Sequence, residues 1–171
     1  MSTREALDFY DCVPEMLARM RSCGVLCTVV DEEGKDNLLT LGWGQVGPFY
    51  HGRPVFSIAI TPLRHSWRFL EEVPEFVIAV PDDALDAAAE LCGTRSGRDM
   101  DKFHAAGLTR VESAHVKAPS IAECPINAEC RVYAKVAPPH VLLTPEHRHQ
   151  PLEEQHTIYF AEVLGTYGYR A

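Results

Sequence analysis

Short apolar runs along the chain predict a series of β-strands. Val25–Val30 and residues 55–60 and 76–80 are rich in valine, isoleucine and phenylalanine, which fit the half-buried surface of a sheet. Residues 37–43 resume the apolar pattern after the turn cluster DEEGKD, so they predict a β-hairpin together with the first run. The first half of the chain is therefore organised around strands.

Two longer strands are predicted near the end of the chain. Residues 124–136 alternate with a period of two, which is the repeat of side chains along one face of a strand. The residues predicted to share that face are Ile126, Ala128, Cys130, Val132 and Ala134. Residues 156–167 predict the final strand, with Ile158, Phe160 and Val163 facing the core. Residues 137–151 are rich in proline and histidine and predict an exposed loop between these strands.

Helical patterns are few and short. Residues 3–21 carry a mixed apolar stripe, and Pro14 predicts a kink or two helical pieces there. Residues 67–73 have apolar positions at helical spacing. Residues 84–91 predict a helix that Asp82 or Asp83 caps and that stops at Gly93.

The order of these elements lacks the regular strand–helix alternation of a parallel sheet. We therefore predict a mainly β (α+β) protein, an antiparallel split β-barrel of about six strands with a few short flanking helices. A length of 171 residues suits one domain, residues 1–171, with a substantial core.

The stretch GWGQVG, from Gly42 to Gly47, matches the letters of the dinucleotide-binding fingerprint. That fingerprint requires a helix to open within the glycine run, so that its N-terminus faces the pyrophosphate. Pro48 and Pro54 follow instead, in a sequence typical of loops. We therefore reject a dinucleotide fold and expect the glycines to permit a close backbone approach or a bulge.

Composition narrows the partners and the compartment. A net charge of −8 argues against a nucleic-acid surface or an anionic membrane surface, because both require a basic face. The N-terminus has no signal-peptide pattern and no run reaches membrane-spanning length, so we expect a cytoplasmic protein. The six cysteines are then expected to be reduced and mostly buried, in preference to a zinc site that their spacings do not fit.

Two short polar clusters could hold a phosphate. The first lies after the third predicted helix, where Asp99 could cap a further short helix, and it contains Thr94, Arg95, Ser96, Gly97, Arg98 and Lys102. The second is Arg64-His65-Ser66, at a predicted strand end. Each has an ordinary alternative: the first could be a solvated loop, and Ser66 could be a helix cap. Together their cations suit one terminal monophosphate.

The sequence contains no nucleophile elbow, no H-E-x-x-H motif and no obvious acid–base pair. The histidines at 147 and 149 sit in a proline-rich loop, and we predict no metal site. If the protein is an enzyme, a bound cofactor carries the reactivity.

Four segments resemble the flavin reductase-like, FMN-binding split-barrel family, and most closely its flavoredoxin branch. They are DEEGKDNLLTLGWG, FSIAITPLRHS, SGRDMDKFHAAGLT and APSIAECPINAECRV. The resemblance implies a homodimer with FMN near the subunit interface. Residues implied along the flavin ring and ribityl chain are Thr40, Leu41, Gly42, Trp43, Gly44, Ile58, Ala59, Ile60 and Thr61. Those implied near the phosphate are Arg64, Ser66, Ser96, Gly97 and Lys102.

This resemblance implies a flavoprotein oxidoreductase that takes hydride from NAD(P)H and passes electrons to an acceptor. No side-chain acid or base is required for that transfer. Two alternatives remain open on the sequence: an FMN electron carrier reduced by a redox partner protein, and a module that binds FMN without turnover. The phosphate clusters predict that FMN is preferred over riboflavin and over FAD.

Overall fold

The computed structural model describes residues 3–170 of the chain. Its strands are β1 (Thr3–Ala6), β2 (Val25–Val30), β3 (Asp36–Leu41), β4 (Gly44–Pro48), β5 (Pro54–Ile60), β6 (Glu75–Val80), β7 (Arg110–Val111), β8 (Ser120–Ile121), β9 (Ile126–Val136) and β10 (Thr157–Arg170). Its helices are α1 (Phe9–Arg21), α2 (His65–Glu72), α3 (Asp86–Thr94) and α4 (Lys102–Ala106). Single 3-10 turns lie at Tyr50–Gly52, Asp83–Leu85 and Leu152–Glu154.

Eight strands form one antiparallel sheet in the order β3-β2-β6-β9-β10-β5-β4, with β1 added to the far end of β10. The order ends at β3 and β4, so the sheet curls into an open, split barrel. The predicted fold class is confirmed, although the strand count exceeds the prediction because β1 and β4 were not expected. The predicted hairpin of β2 and β3 is confirmed, with Val25 opposite Leu41 and Val30 opposite Asp36.

The N-terminal prediction is wrong in two respects. Thr3–Ala6 is a strand paired with β10, and α1 begins only at Phe9, where the Asp8 carboxylate accepts the backbone N–H of Tyr10 at 2.8 Å. Pro14 lies inside α1 and does not divide it. The helix persists because its apolar face is buried in the core, at Phe9, Cys12 and Met16, and that burial outweighs one lost hydrogen bond.

The buried face of the long final strand alternates without a break from Tyr159 to Val163. Tyr159, Ala161 and Val163 belong to the core, whereas Ile158 and Phe160 are only half-buried. Pairing of β10 with β9 shifts between Phe160 and Ala161, where the extra residue lies in β9, and again between Val163 and Gly165. The prediction was correct for Val163 and wrong for Ile158 and Phe160, because both faces of this strand carry large apolar or aromatic side chains and the alternation alone does not identify the core face.

Strand β9 buries most of the face that the sequence predicted for it. The core face of β9 contains Ile126, Ala128, Cys130 and Val132, as predicted, but Ala134 is exposed where β9 extends past β6.

The glycine run at 42–47 leads into β4, which pairs with β5, and only a single 3-10 turn follows. Rejection of the dinucleotide fold is therefore confirmed.

Helices α3 and α4 place the first polar cluster against β3. Helix α3 extends to Thr94 and so includes Gly93, where the sequence predicted its end. Asp101, and not Asp99, caps α4 by accepting the backbone N–H of His104 at 3.3 Å. The loop between the two helices is thereby held beside the start of α2. None of the described helices is long and apolar enough to cross a membrane.

Candidate functional site

A cavity of about 320 Å³ lies where the ends of β3 and β5 meet the start of α2 and the α3–α4 loop. It contains every residue that the sequence predicted for the cofactor except Gly44 and Ile58, which is buried in the core. The predicted residues that line it are Thr40, Leu41, Gly42, Trp43, Ala59, Ile60, Thr61, Arg64, Ser66, Ser96, Gly97 and Lys102. The antiparallel order brings together two clusters that are about 30 residues apart in sequence, as the shared-phosphate hypothesis requires.

One end of the cavity is cationic. Arg64, Arg95, Arg98 and Lys102 all line it. Lys102 is only 6% exposed, and its Nζ donates to the carbonyl oxygen of Cys92 at 2.7 Å. Burial lowers the pKa of Lys102 from its ordinary value, and the nearby Arg64 lowers it further. An ammonium has three donors, so two remain available to a ligand in this cavity.

Two serine hydroxyls face the same end. The Oγ of Ser66 accepts a hydrogen bond of 2.8 Å from Nδ2 of Asn37, which leaves the hydroxyl proton of Ser66 to donate. Ser96 Oγ accepts a hydrogen bond of 3.2 Å from the backbone N–H of Arg98, which leaves its hydroxyl proton to donate as well. The helix-cap alternative for Ser66 is wrong, because Ser66 lies inside α2, whose N-cap is Arg64 and has no side-chain cap hydrogen bond.

The start of α2 adds backbone donors to this end. His65 and Ser66 are the first helical residues, whose N–H groups have no intrahelical acceptor. The pKa of His65 is lowered by burial first, and then by Arg98, Arg68, Lys35 and Lys102. These four cations indicate a positive local potential, in a protein whose net charge is −8.

The opposite end of the cavity is flatter and less charged. The residues that line it there include Gly42, Trp43, Ala59, Ile60 and Thr61. Trp43 is 50% exposed and contacts the ring of His156 edge to face, with centroids 4.7 Å apart. Burial lowers the pKa of His156, and Arg64 and His140 lower it further, so the imidazole is neutral at pH 7.

The middle of the cavity is shaped by contacts between β3 and α3. Thr40 Oγ1 donates to the carbonyl oxygen of Ala89 at 2.6 Å. A side chain on Gly93 would place Cβ 3.2 Å from the Cβ of Thr40. Gly93 therefore lets α3 lie directly against β3, and this fixes the wall that the cavity shares with the sheet.

The close approach of Asn37 explains why residue 97 is a glycine, which the sequence alone did not show. A Cβ on Gly97 would lie 1.9 Å from Oδ1 of Asn37, the residue that orients Ser66. Gly97 is thus required for the α3–α4 loop to reach β3. Its proposed role beside an anion stays a prediction, since the residue also lines the cavity.

Gly44 is one of the two predicted cofactor residues that do not line the cavity. It pairs with the other, Ile58, in the sheet. A Cβ there would lie 2.9 Å from Phe56 Cε1 and 3.0 Å from the carbonyl oxygen of Ser57. The glycine therefore makes room for the buried ring of Phe56, whereas Gly42 lines the cavity, and a Cβ there would have only the carbonyl oxygen of Met20, at 3.7 Å, within 4 Å.

We expect Gly44→Ala to lower the free energy of unfolding by about 1–3 kcal/mol, because the new methyl group overpacks Phe56. Gly47→Ala is the matched control, since it lies in the same strand and a Cβ there meets nothing within 4 Å. Urea unfolding of both variants measures the difference. Equal stability of the two variants would contradict this account of Gly44.

Sequence reasoning missed two polar residues of the cavity, Asn37 and His156. Asn37 is a buried polar residue in an apolar strand, and a polar residue in such a position is a usable signal for a site. His156 precedes β10 and joins the cavity only through long-range pairing of β10 with β5. Arg95 and Arg98 were recognised as members of the first cluster, and both line the cavity.

Other reactive side chains lie away from the cavity or are inert. All six cysteines are free, and burial raises the pKa of Cys92, the one that lines the cavity, to about 11. Within residues 3–170, no three His, Cys, Asp or Glu side chains come together as a metal-binding group.

Residues 17–168 match the family described as flavin reductase like domain. The match spans most of the chain, and it agrees with an open split barrel whose cavity joins a cationic end to a flat end. The chain therefore belongs to this family, as the resemblance predicted.

The chain is also similar to individual proteins. An uncharacterized protein of Archaeoglobus fulgidus is 38% identical over 108 residues, which are 63% of this chain and 60% of that protein. Flavoredoxin of Desulfovibrio vulgaris (Miyazaki F) has a TM-score of 0.67 at 22% identity, over 83% of this chain and 67% of that chain. An FMN-binding domain of a flavin reductases-like enzyme from Shewanella baltica OS155 has a TM-score of 0.67 at 19% identity, over 98% of this chain and 78% of that chain. The two solved structures share the fold.

Proposed function

We propose that the protein binds FMN in the 320 Å³ cavity and acts as an oxidoreductase that NAD(P)H reduces. The observation that carries the proposal is the buried ammonium of Lys102, which shares one end of the cavity with three arginines. Uncompensated burial of a charge is costly, so a site of this kind is built for an anion that compensates it.

The cationic end fits a terminal phosphate. Lys102, Ser66 and Ser96 each have a donor left for a ligand, and Arg64 is exposed at the rim of the cavity. The first N–H groups of α2 supply further donors. Such charge-assisted hydrogen bonds contribute on the order of 1.5–3 kcal/mol each to binding.

The flat end fits the isoalloxazine ring. The absent side chain of Gly42 lets a planar ring approach the backbone, and Trp43 and His156 form the rim. When bound there, FMN supplies the hydride and electron chemistry. The residues of the chain then position the ring, and the neutral imidazole of His156 offers a hydrogen bond beside it without placing another positive charge there.

Exposure at the flat end supports reduction by a small diffusing donor. Trp43 is half-exposed, and Leu63, which also lines the cavity, is 58% exposed. A second planar molecule can therefore reach the flat end from solvent. The name of the Shewanella baltica relative refers to a flavin reductases-like enzyme, whereas that of the Desulfovibrio vulgaris relative is flavoredoxin.

Visible spectroscopy of the FMN-loaded protein under anaerobic conditions tests the proposal. Addition of NADH or NADPH is expected to bleach the flavin absorption within seconds to minutes, and admission of an electron acceptor is expected to restore it. Free FMN at the same concentration, without protein, is the control for the uncatalysed reaction. Bound FMN that neither nicotinamide reduces faster than this control contradicts the reductase and leaves the carrier reduced by a protein partner.

The proposal includes a homodimer in the cytoplasm, as the resemblance implies. A patch of aromatic side chains, Phe49, Tyr50 and Tyr133, is available for such an interface. Phe49 contacts Tyr50 and Tyr133 with ring centroids 4.6 and 5.2 Å apart, and all three side chains are exposed. Exposed aromatic clusters of this kind are characteristic of protein–protein contact surfaces.

A further inference from the structure

The cavity carries more positive charge than the phosphate of FMN can neutralise. Of the described residues that line it, Arg64, Arg95, Arg98 and Lys102 are cations, and none is an aspartate or a glutamate. The phosphate brings about two negative charges. When the buried Lys102 and the nearby Arg64 are assigned to it, the charges of Arg95 and Arg98 remain unbalanced.

Neither of these two guanidinium groups is neutralised within the part of the chain that the structure describes. Both side chains are exposed, and no ion pair within residues 3–170 includes either of them. The chain has 24 acidic residues against 16 lysines and arginines, so carboxylates are plentiful elsewhere. A cleft that is lined by charges of one sign concentrates ligands of the opposite sign. We therefore expect a second anion at the mouth of the cavity.

The two arginines lie beside different parts of the cavity. Arg98 is close to the start of α2, because its charge lowers the pKa of His65 there. Arg95 is the C-cap of α3 and follows Gly93 by two residues. A Cβ on Gly93 would lie 3.2 Å from Thr40 Cβ, so this part of α3 borders the middle of the cavity. Arg95 is therefore attached next to the middle, between the phosphate end and the flat end.

The ordinary explanation for Arg95 is that it stabilises the end of α3. A cation near the C-terminus of a helix interacts favourably with the helix dipole. A lysine serves that purpose equally well. Only an arginine offers paired donors that match two oxygens of one phosphate. Replacement of Arg95 by lysine therefore separates the two explanations.

A hydride donor for the proposed flavin extends beyond the flat end. Trp43 and Leu63 leave that end open to solvent, so the nicotinamide can stack there while the rest of the dinucleotide lies along the mouth, where Arg95 is exposed. Known NADH sites place an aspartate or glutamate at the ribose 2′-hydroxyl, whereas NADPH sites place an arginine at the 2′-phosphate. This mouth has arginines and no carboxylate among its described lining residues, so it fits NADPH.

We propose that the hydride donor is NADPH and that Arg95 selects it by binding the 2′-phosphate. This inference rests on the proposed function, because it requires that a nicotinamide reduces the bound flavin. The transfer is the same for NADH and NADPH: one hydride leaves the dihydronicotinamide for the flavin, one proton comes from water, and the oxidised nicotinamide is released. The selectivity therefore acts on binding.

Calorimetric titration of the FMN-loaded protein with NADP⁺ and with NAD⁺ tests the inference without turnover. At low salt NADP⁺ is expected to bind about tenfold or more tightly than NAD⁺, since the 2′-phosphate adds a charge-assisted hydrogen bond. Because Arg95 is exposed, added salt is expected to reduce this ratio. Adenosine 2′,5′-bisphosphate is expected to displace NADP⁺, and adenosine 5′-diphosphate is expected to do so far less well.

Three variants assign the ratio to Arg95. Arg95→Ala is expected to bring the NADP⁺ to NAD⁺ ratio to within about threefold of unity by weakening NADP⁺ alone. Arg95→Lys keeps the charge at the end of α3 and is expected to lose most of the ratio, because the paired donors are gone. Arg68→Ala removes an arginine that does not line the cavity, and it is expected to keep the wild-type ratio.

The outcomes separate this inference from the proposed function. Equal binding of NADP⁺ and NAD⁺ to the wild type, or an unchanged ratio in Arg95→Ala, overturns the selection by Arg95. Loss of FMN itself from Arg95→Ala also overturns it, since Arg95 then belongs to the FMN phosphate. If NADH bleaches the flavin as fast as NADPH, the reductase stands and the inference fails. If neither bleaches it, both fail, and the unbalanced arginines are left to an acidic redox partner protein.

Discussion

Arg64→Ala is expected to weaken FMN binding by roughly ten- to a hundredfold and to leave riboflavin binding almost unchanged. Arg64 is exposed, lies at the start of α2 and lines the cationic end of the cavity. Its removal deletes a charge-assisted hydrogen bond to phosphate, worth on the order of 1.5–3 kcal/mol, without emptying a packed core position. Riboflavin lacks the phosphate, so the same truncation costs it little.

The matched control is Arg68→Ala. Arg68 lies one turn further along α2, where it is 3.8 Å from Asp31 and does not line the cavity. Arg68→Ala removes one arginine from the same helix and is expected to change the affinity for FMN less than threefold. Fluorescence titration of both variants with FMN and riboflavin is the measurement. Equal losses for FMN and riboflavin in Arg64→Ala would exclude Arg64 from the phosphate site.

Lys102→Met is expected to weaken FMN binding ten- to a hundredfold at pH 8 and to abolish a loss of affinity at alkaline pH. In the wild type, burial and Arg64 lower the pKa of Lys102 below its ordinary value of 10.5. The ammonium of the free protein therefore loses its proton at a lower pH than an exposed lysine does. Because the phosphate favours the charged form, binding raises this pKa again.

The sign of the pH dependence follows from these two shifts. Below the lowered pKa, Lys102 is charged in both states and FMN affinity is at its full value. As the pH rises through that pKa toward and beyond 10.5, FMN binding must restore a proton, so its affinity falls. The phosphate itself stays dianionic throughout, since its second pKa is about 6.

Riboflavin measured over the same pH range is the control for ionisation of the ring and of other side chains. The quantity to compare is the ratio of FMN to riboflavin affinity in wild type and in Lys102→Met. A wild-type ratio that stays constant between pH 8 and 10.5, or a variant ratio that falls as the wild type does, would remove Lys102 from the phosphate site.

The strands that could be predicted from sequence are those whose pattern is local. Val25–Val30 and β9 carry continuous or alternating apolar residues, and both form as predicted. The strand at Thr3–Ala6 has all four side chains exposed, so it has no hydrophobic signal and depends on pairing with β10. The buried face of β10 was misassigned because large apolar or aromatic residues occur on both of its faces, so the local pattern does not show which face packs on the core.

The residues of the candidate site also differ in whether their signal is local in the sequence. Residues with a local chemical signature, such as Arg64, Ser96 and Lys102, could be found because cations and hydroxyls cluster in the sequence. Asn37 has only the weaker signal of a polar residue in an apolar strand, and His156 has none, since it reaches the cavity through pairing of β10 with β5. The roles of Gly44 and Gly97 also depend on which side chains lie opposite them, Phe56 and Asn37, and a glycine in sequence does not identify its neighbour.

The central claim is that the cationic end of the cavity binds the phosphate of a flavin. Calorimetric titration of the wild-type apoprotein with FMN and with riboflavin, at pH 8 and low salt, tests it most directly. We predict that FMN binds at least about a hundredfold more tightly than riboflavin, since the phosphate adds more than one charge-assisted hydrogen bond. Equal affinities for FMN and riboflavin, or no binding of either, would contradict it.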